Sequence, residues 1–189
     1  MPTRRFLAGL LVLAAVLNAC SQKPIDPAAP PEPPLILAAE LGDLPRIDHL
    51  LGREQSALVD VRDSCAWTPL MKAAQNGHLQ SVQRLLDAGA QTGLGDKGGY
   101  TALMLAASNN HAAVVELLLE YGADPNRREQ TRGWSALIWA AKRGHLDSFD
   151  TLLKAGAEHR FLDKQGKSAL DWADANGHRL IAEKLRKLG

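Results

Sequence analysis

Four stretches of this 189-residue chain follow one template, and a template repeated at fixed spacing constrains the fold more than any bulk property does. Thr68-Pro69-Leu70-Met71-Lys72-Ala73-Ala74 returns 33 residues later as Thr101-Ala102-Leu103-Met104-Leu105-Ala106-Ala107. It returns again 34 residues on as Ser135-Ala136-Leu137-Ile138-Trp139-Ala140-Ala141, and after another 33 as Ser168-Ala169-Leu170-Asp171-Trp172-Ala173-Asp174. A period of this length is that of stacked supersecondary units, each unable to bury its apolar face alone.

Each copy reads as helix, turn, helix and hairpin loop. Thr68, Thr101, Ser135 and Ser168 are hydroxyl residues placed to N-cap a first helix, and Pro69 is preset for its first turn. The leucine that follows opens a buried stripe, and the paired alanines let neighbouring helices approach closely. Gly77-His78, Asn110-His111, Gly144-His145 and Gly177-His178 mark the turn. A second helix supplies Leu85-Leu86, Leu118-Leu119 and Leu152-Leu153, and Gly89, Gly122 and Gly156 end it in the left-handed conformation. Asp63, Asp96 and Asp163 stand five residues before the next hydroxyl, where a hairpin needs a side chain that can bond its own backbone.

These residues resemble the ankyrin repeat family over Leu35 to Gly189, with Gly122-Ala123-Asp124-Pro125-Asn126 keeping that family's closing element almost intact. The resemblance implies an all-α solenoid of about five helix-turn-helix repeats with hairpin loops, near 35–62, 63–95, 96–129, 130–162 and 163–189. It also implies a protein-binding module. Three departures stand out. The consensus histidine after the first leucine is replaced by Met71, Met104, Ile138 and Asp171. Asn110 takes the place of a turn glycine. The connection from Arg127 to Gly133 carries one extra residue. The first copy, Leu35 to Asp43, lacks the hydroxyl cap, with Pro45 marking its second helix. The outer copies act as caps, which need a polar outer face.

Ahead of the repeats the chain carries an address. Met1 to Arg5 is short and positive, and Phe6 to Val16 is an apolar run too short to span a bilayer as a mature helix. Leu17-Asn18-Ala19-Cys20 resembles the lipobox of bacterial lipoproteins. The resemblance implies a signal peptide over 1–19 and a palmitate-type lipid anchor on Cys20. Several acyl chains at about 0.8 kcal/mol per buried methylene hold a protein at a membrane effectively permanently. Ser21 leans toward the outer membrane, facing the periplasm. Residues 20–34 form a linker with six prolines, which as polyproline II can reach roughly 40 Å at about 3.1 Å per residue.

Composition excludes several functions. Net charge is +1, and removal of residues 1–19 leaves 20 basic against 21 acidic side chains, without the basic excess that nucleic-acid binding requires. Two cysteines, Cys20 and Cys65, are too few for a disulfide framework or a thiolate metal site. With Cys20 acylated, Cys65 reads as a lone thiol in a hairpin, either a tolerated turn residue or a redox-sensitive one. The Gly93-to-Gly98 stretch matches a phosphate-binding glycine pattern but lies in a hairpin rather than between strand and helix. His78, His111, His145 and His178 recur one repeat apart. Stacked helices lie about 8–10 Å from each other, so these residues cannot share a zinc with bonds of about 2.1 Å and belong to the scaffold. Asp147 and Asp150 near His145 read as a solvated face. No catalytic constellation, cofactor motif or metal site is expected.

The candidate binding residues are Trp67, Tyr100 and Trp134, each one place before the hydroxyl cap. Three of the chain's nine aromatics thus occupy one equivalent position. In the ankyrin family that position lies on the concave surface and contacts targets, which makes these residues candidate anchors. The alternative is that each packs on its own hairpin, while Trp139 and Trp172 point into the inter-repeat core. The family's other contact positions fall on Gln75 and Asn76, Ser108 and Asn109, Lys142 and Arg143, and Ala175 and Asn176. The one basic pair, Lys142 and Arg143, suggests an acidic spot on the partner. Two functions follow. One is a monomeric scaffold that binds and stabilises an envelope protein such as an oxidative-stress enzyme. The other is an immunity protein that neutralises a toxin such as a phospholipase in the periplasm.

Overall fold

The computed structural model describes residues 32–52 and 58–188, within one compact unit, Glu32–Gly189. The signal peptide, Cys20 and nearly all of the linker lie outside the described residues. Among the described residues ten helices follow in pairs: α1 (Pro34–Leu41) with α2 (Leu44–Leu51), α3 (Pro69–Asn76) with α4 (Leu79–Asp87), and α5 (Ala102–Ser108) with α6 (Ala112–Glu120). The last two pairs are α7 (Ala136–Arg143) with α8 (Leu146–Lys154), and α9 (Ala169–Ala175) with α10 (Arg179–Lys187). Odd-numbered helices stack on one another as an inner layer, and even-numbered helices stack more loosely as an outer layer. The expected all-α solenoid is therefore the fold. Among the described residues the only extended pairing is an isolated bridge, Gly95 with Thr101. None of their helices is long and apolar enough to cross a membrane.

The caps form as the hydroxyl positions predict. The amides of Met71, Met104 and Ile138 donate to the side-chain oxygens of Thr68, Thr101 and Ser135 at 3.3–3.4 Å. Asp171, a departure from the consensus, has a local purpose. Its carboxylate accepts from the Ser168 amide at 2.7 Å and the Ser168 hydroxyl at 2.6 Å, completing a capping box. Helix α1 starts at Pro34, one residue inside the expected linker; its N1 position needs no amide donor, so proline is accommodated. Helix α2 starts at Leu44, capped by Asp43, whose Oδ1 accepts from the Arg46 amide.

Close approach of the inner layer rests on small residues. Ala73, Ala74, Ala106, Ala107, Ala140 and Ala141 are all fully buried, as are Leu85, Leu118 and Leu152 of the outer layer. The end repeats are less polar outside than capping predicts: Leu41 and Leu180 are more than half exposed. On the last repeat Leu180 shares the surface with the ion pairs Arg186–Asp174 and Arg179–Glu183.

Register between repeats is set at the turns. His78, His111, His145 and His178 each place Nε2 3.0 Å from a carbonyl oxygen of the preceding repeat: Glu40, Gln75, Ser108 and Lys142 respectively. A carbonyl only accepts, so Nε2 carries the proton. Three of these imidazoles, those of His78, His111 and His178, lie over the preceding turn glycine. A Cβ at Gly77 would fall 2.4 Å from His111 Nδ1, and one at Gly144 would fall 2.4 Å from His178 Nδ1. These glycines also hold φ near +75°, and Asn110 adopts the equivalent conformation at φ 59°. Asn110 compensates with its side chain, whose Oδ1 accepts from the Ser148 amide and hydroxyl at 3.4 and 3.3 Å.

Two tests follow from this staple. Gly177 has the same positive φ but nothing within 4 Å of a Cβ position. Gly177→Ala should therefore show backbone strain alone, about 1 kcal/mol. Gly77→Ala should cost about 1–3 kcal/mol more through overpacking against His111, measured by urea unfolding. The second test concerns pH. Burial holds the His145 pKa below the usual histidine value; the neighbouring Arg143, His178 and His111 act in the same direction, while the Ser108 carbonyl opposes them. The unfolded chain then takes up a proton more readily than the folded one. The contribution is intact above the usual value of about 6.5 and is lost as pH falls through the folded value. Stability should drop between pH 7.5 and 5.5, and the drop should be shallower in His145→Gln.

Candidate functional site

The hairpins that precede α3, α5, α7 and α9 are built around buried or half-buried carboxylates. Asp63 accepts from the amides of Cys65 and Trp67, Asp96 from those of Gly98 and Tyr100, and Asp163 from those of Gln165 and Lys167, all at 2.7–2.9 Å. The fourth repeat differs. Its extra residue moves the carboxylate to Glu129, six places before the cap, and the longer side chain spans the longer loop. Glu129 accepts from the amides of Thr131, Arg132 and Trp134 at 2.6, 2.7 and 3.0 Å, and also from the Thr131 hydroxyl. Successive hairpins are tied by backbone bonds: Lys97 N–H to Cys65 O, Gln130 N–H to Gly98 O, and Lys164 N–H to Arg132 O. The sequence reading missed Glu129 because it counted aspartates at one fixed offset; the extra residue was the available signal.

The aromatic residues before the caps, candidate anchors whose alternative was packing on their own hairpins, are buried. Trp67, Tyr100 and Trp134 are 5, 8 and 3% exposed. Their rings fold back onto the inner layer, because each hairpin closes over its own aromatic. Tyr100, Trp139, Trp134 and Trp172 form one continuous row, with centroid separations of 6.0, 4.7 and 5.2 Å; the last two contacts are edge-to-face. Trp139 is buried within it, as expected, and Trp172 is half-buried. Both Trp134 Nε1 and Trp172 Nε1 donate to Asp163 Oδ2, at 2.7 and 2.9 Å. Burial opposes ionisation of Asp163, but the hydrogen bonds it accepts outweigh this and hold its pKa below the ordinary carboxylate value. Burial also pushes the Tyr100 hydroxyl up; it lies 3.3 Å from the Thr131 hydroxyl.

The other candidate positions divide. Ser108 is buried, and its hydroxyl donates to the Leu105 carbonyl. Gln75 is half-buried and lends its carbonyl to His111. Asn76, Asn109 and Arg143 are exposed near the ends of successive inner helices, where the side chains of Asn76 and Asn109 donate to the carbonyls of Glu40 and Leu105. Lys142 is half-buried, its ammonium 4.4 Å from the Trp172 centroid and 5.6 Å from that of Trp134. Cys65 is 5% exposed within its hairpin, its amide held by Asp63, so it is not presented at the surface as the redox-sensitive reading requires. Its hairpin carries Trp67, with Lys72 over the ring at 5.1 Å and paired with Glu40 at 3.0 Å. Among the described residues no group of three His, Cys, Asp or Glu side chains could hold a metal ion.

Because the aromatics support the fold, removing them should unfold before it selectively unbinds. Trp134→Ala is expected to lower stability by about 3–5 kcal/mol. Glu129→Gln should cost about 1–3 kcal/mol by leaving buried amides without an acceptor. Both are measured by denaturant unfolding followed by far-UV circular dichroism.

A family model described as ankyrin repeats matches residues 35–129 and 126–189. Ankyrin repeat protein nuc-2 of Neurospora crassa is 31% identical over 145 residues, covering 77% of this chain. The chain spans only 13% of that relative's length, so the likeness concerns the repeats and not the larger protein's activity. With the family's helix pairs, hairpins and turn histidines all in place, the chain belongs to the ankyrin repeat family, whose members serve as protein–protein interaction modules.

Proposed function

We propose that this protein is a lipid-anchored interaction module of a bacterial envelope. It is held through Cys20 at a membrane facing the periplasm, and it binds and stabilises an envelope protein such as an oxidative-stress enzyme. The observation that carries the reading is the row of exposed polar residues at the ends of the inner helices, Asn76, Asn109, Arg143 and Asn176, one from each of the second to fifth repeats. In the ankyrin family such a row faces the partner. The lipobox-like Leu17-Asn18-Ala19-Cys20 and the proline-rich stretch after it supply the anchor and spacer in this reading.

Two measurements test it. Cells fed a labelled fatty acid should incorporate it into the wild-type chain and not into Cys20→Ser; label retained in the variant would remove the anchor from the proposal. Crosslinking in intact cells should capture one envelope protein, whose level or activity falls when this chain is deleted. Toxicity on deletion that appears only when a secreted toxin is present would instead identify an inhibitor.

A further inference from the structure

Four cations crowd the hairpin-side face of the fourth and fifth repeats. Arg132 and Lys167 come from the two hairpins, Lys142 and Arg143 from the end of α7. All four lie over indole rings: Arg132 on Trp134 at 4.8 Å, Arg143 on Trp139 at 5.4 Å, Lys167 on Trp172 at 4.5 Å, and Lys142 over both Trp134 and Trp172. Among the described residues none of the four makes an ion pair within 4.0 Å, whereas Lys72, on the ring of Trp67, is paired with Glu40.

The nearest buried carboxylates keep their charge but are turned into their own hairpins rather than onto the cations. Glu129 is filled by three amides and a hydroxyl, and Asp163 by two amides and two indoles. Burial lowers the Lys142 pKa, and repulsion from Arg132, Arg143 and Lys167 adds to it. The four cations thus repel one another, and the neighbouring anions Glu129, Asp163 and Asp171 offset that charge only from a distance, without closing an ion pair on any of the four. Beneath them Trp139 Nε1 is buried with no hydrogen-bond partner among the described residues.

We infer that Arg132, Lys142, Arg143 and Lys167 form the docking site for an acidic segment of the partner protein, laid across the fourth and fifth repeats. The inference rests on the protein-binding reading above and gives that partner a chemistry. Guanidinium forks and ammonium groups both pair with carboxylates, and the indoles orient the cations before the segment arrives. Repeats stack about 8–10 Å apart, and an extended strand advances about 3.3 Å per residue, so carboxylates three residues apart match successive repeats.

The test titrates the full chain with a fluorescent peptide carrying glutamates at every third position, with a glutamine counterpart as control. The glutamate peptide should bind, weaken steeply between 50 and 300 mM salt, and lose at least tenfold in affinity when all four cations become Gln. Arg143→Gln with Lys167→Gln, both exposed in the wild type and safe for folding, should lose several-fold. Lys154→Gln with Lys187→Gln, away from the cluster, should change nothing. Equal binding of both peptides, or an unchanged affinity in the fourfold and double variants, would overturn the inference. So would preferential binding of phosphatidylglycerol vesicles through the same four residues, which would make the patch a membrane contact. If the crosslinked envelope protein is captured equally by the wild type and the Arg143/Lys167 double variant, this site fails while the protein-binding reading survives. Binding of the peptide without any captured protein gives the converse.

Discussion

A repeat array has no centre, so whatever fixes one unit on the next decides whether the whole forms. In this chain that fastening is the turn histidine. Each imidazole donates to a carbonyl of the preceding repeat at 3.0 Å and, at three of the turns, lies where only a glycine leaves room. One contact thus sets spacing and rotation together, because a shift in either would part the hydrogen bond or press the ring into the backbone. The inner alanines then pack at the distance the histidines set. The hairpins, tied to one another by backbone bonds, inherit the same pitch.

The scaffold was legible in the sequence because its residues act locally. A threonine that caps a helix, a glycine that turns it and a histidine at fixed offset announce their positions without knowledge of the rest of the chain. The surface was less legible. Trp67, Tyr100 and Trp134 occupy positions that face a partner in the family, yet a position in the repeat does not say which way a ring turns. Rotation about one side-chain bond takes an indole from solvent to the inner layer, and the half-buried Trp172 and buried Trp139 were there to receive Trp134. Lys142 and Arg143 were visible as a basic pair. Their association with Arg132 and Lys167 was not, because it joins two hairpins and a helix end across 36 residues of chain.

Burying the aromatics changes how the face works. Exposed tryptophans would meet a partner directly; covered by cations, they act through the charges they position. An arginine resting on an indole has lost part of its side-chain freedom in advance, so less order remains to be imposed when an anion arrives. Recognition then gains a dependence on salt that a purely apolar surface would lack.

The extra residue in the fourth hairpin has a further consequence. His145 reaches its carbonyl across 37 residues where His111 and His178 span 36, yet the bond length is the same 3.0 Å. The loop has absorbed the insertion completely, by exchanging an aspartate for a glutamate one methylene longer, and has passed none of it to the helices. Hairpin tips can therefore gain length and charge while the stack keeps its pitch. A lineage of such chains is free to try new surfaces one insertion at a time, without renegotiating the fold that carries them.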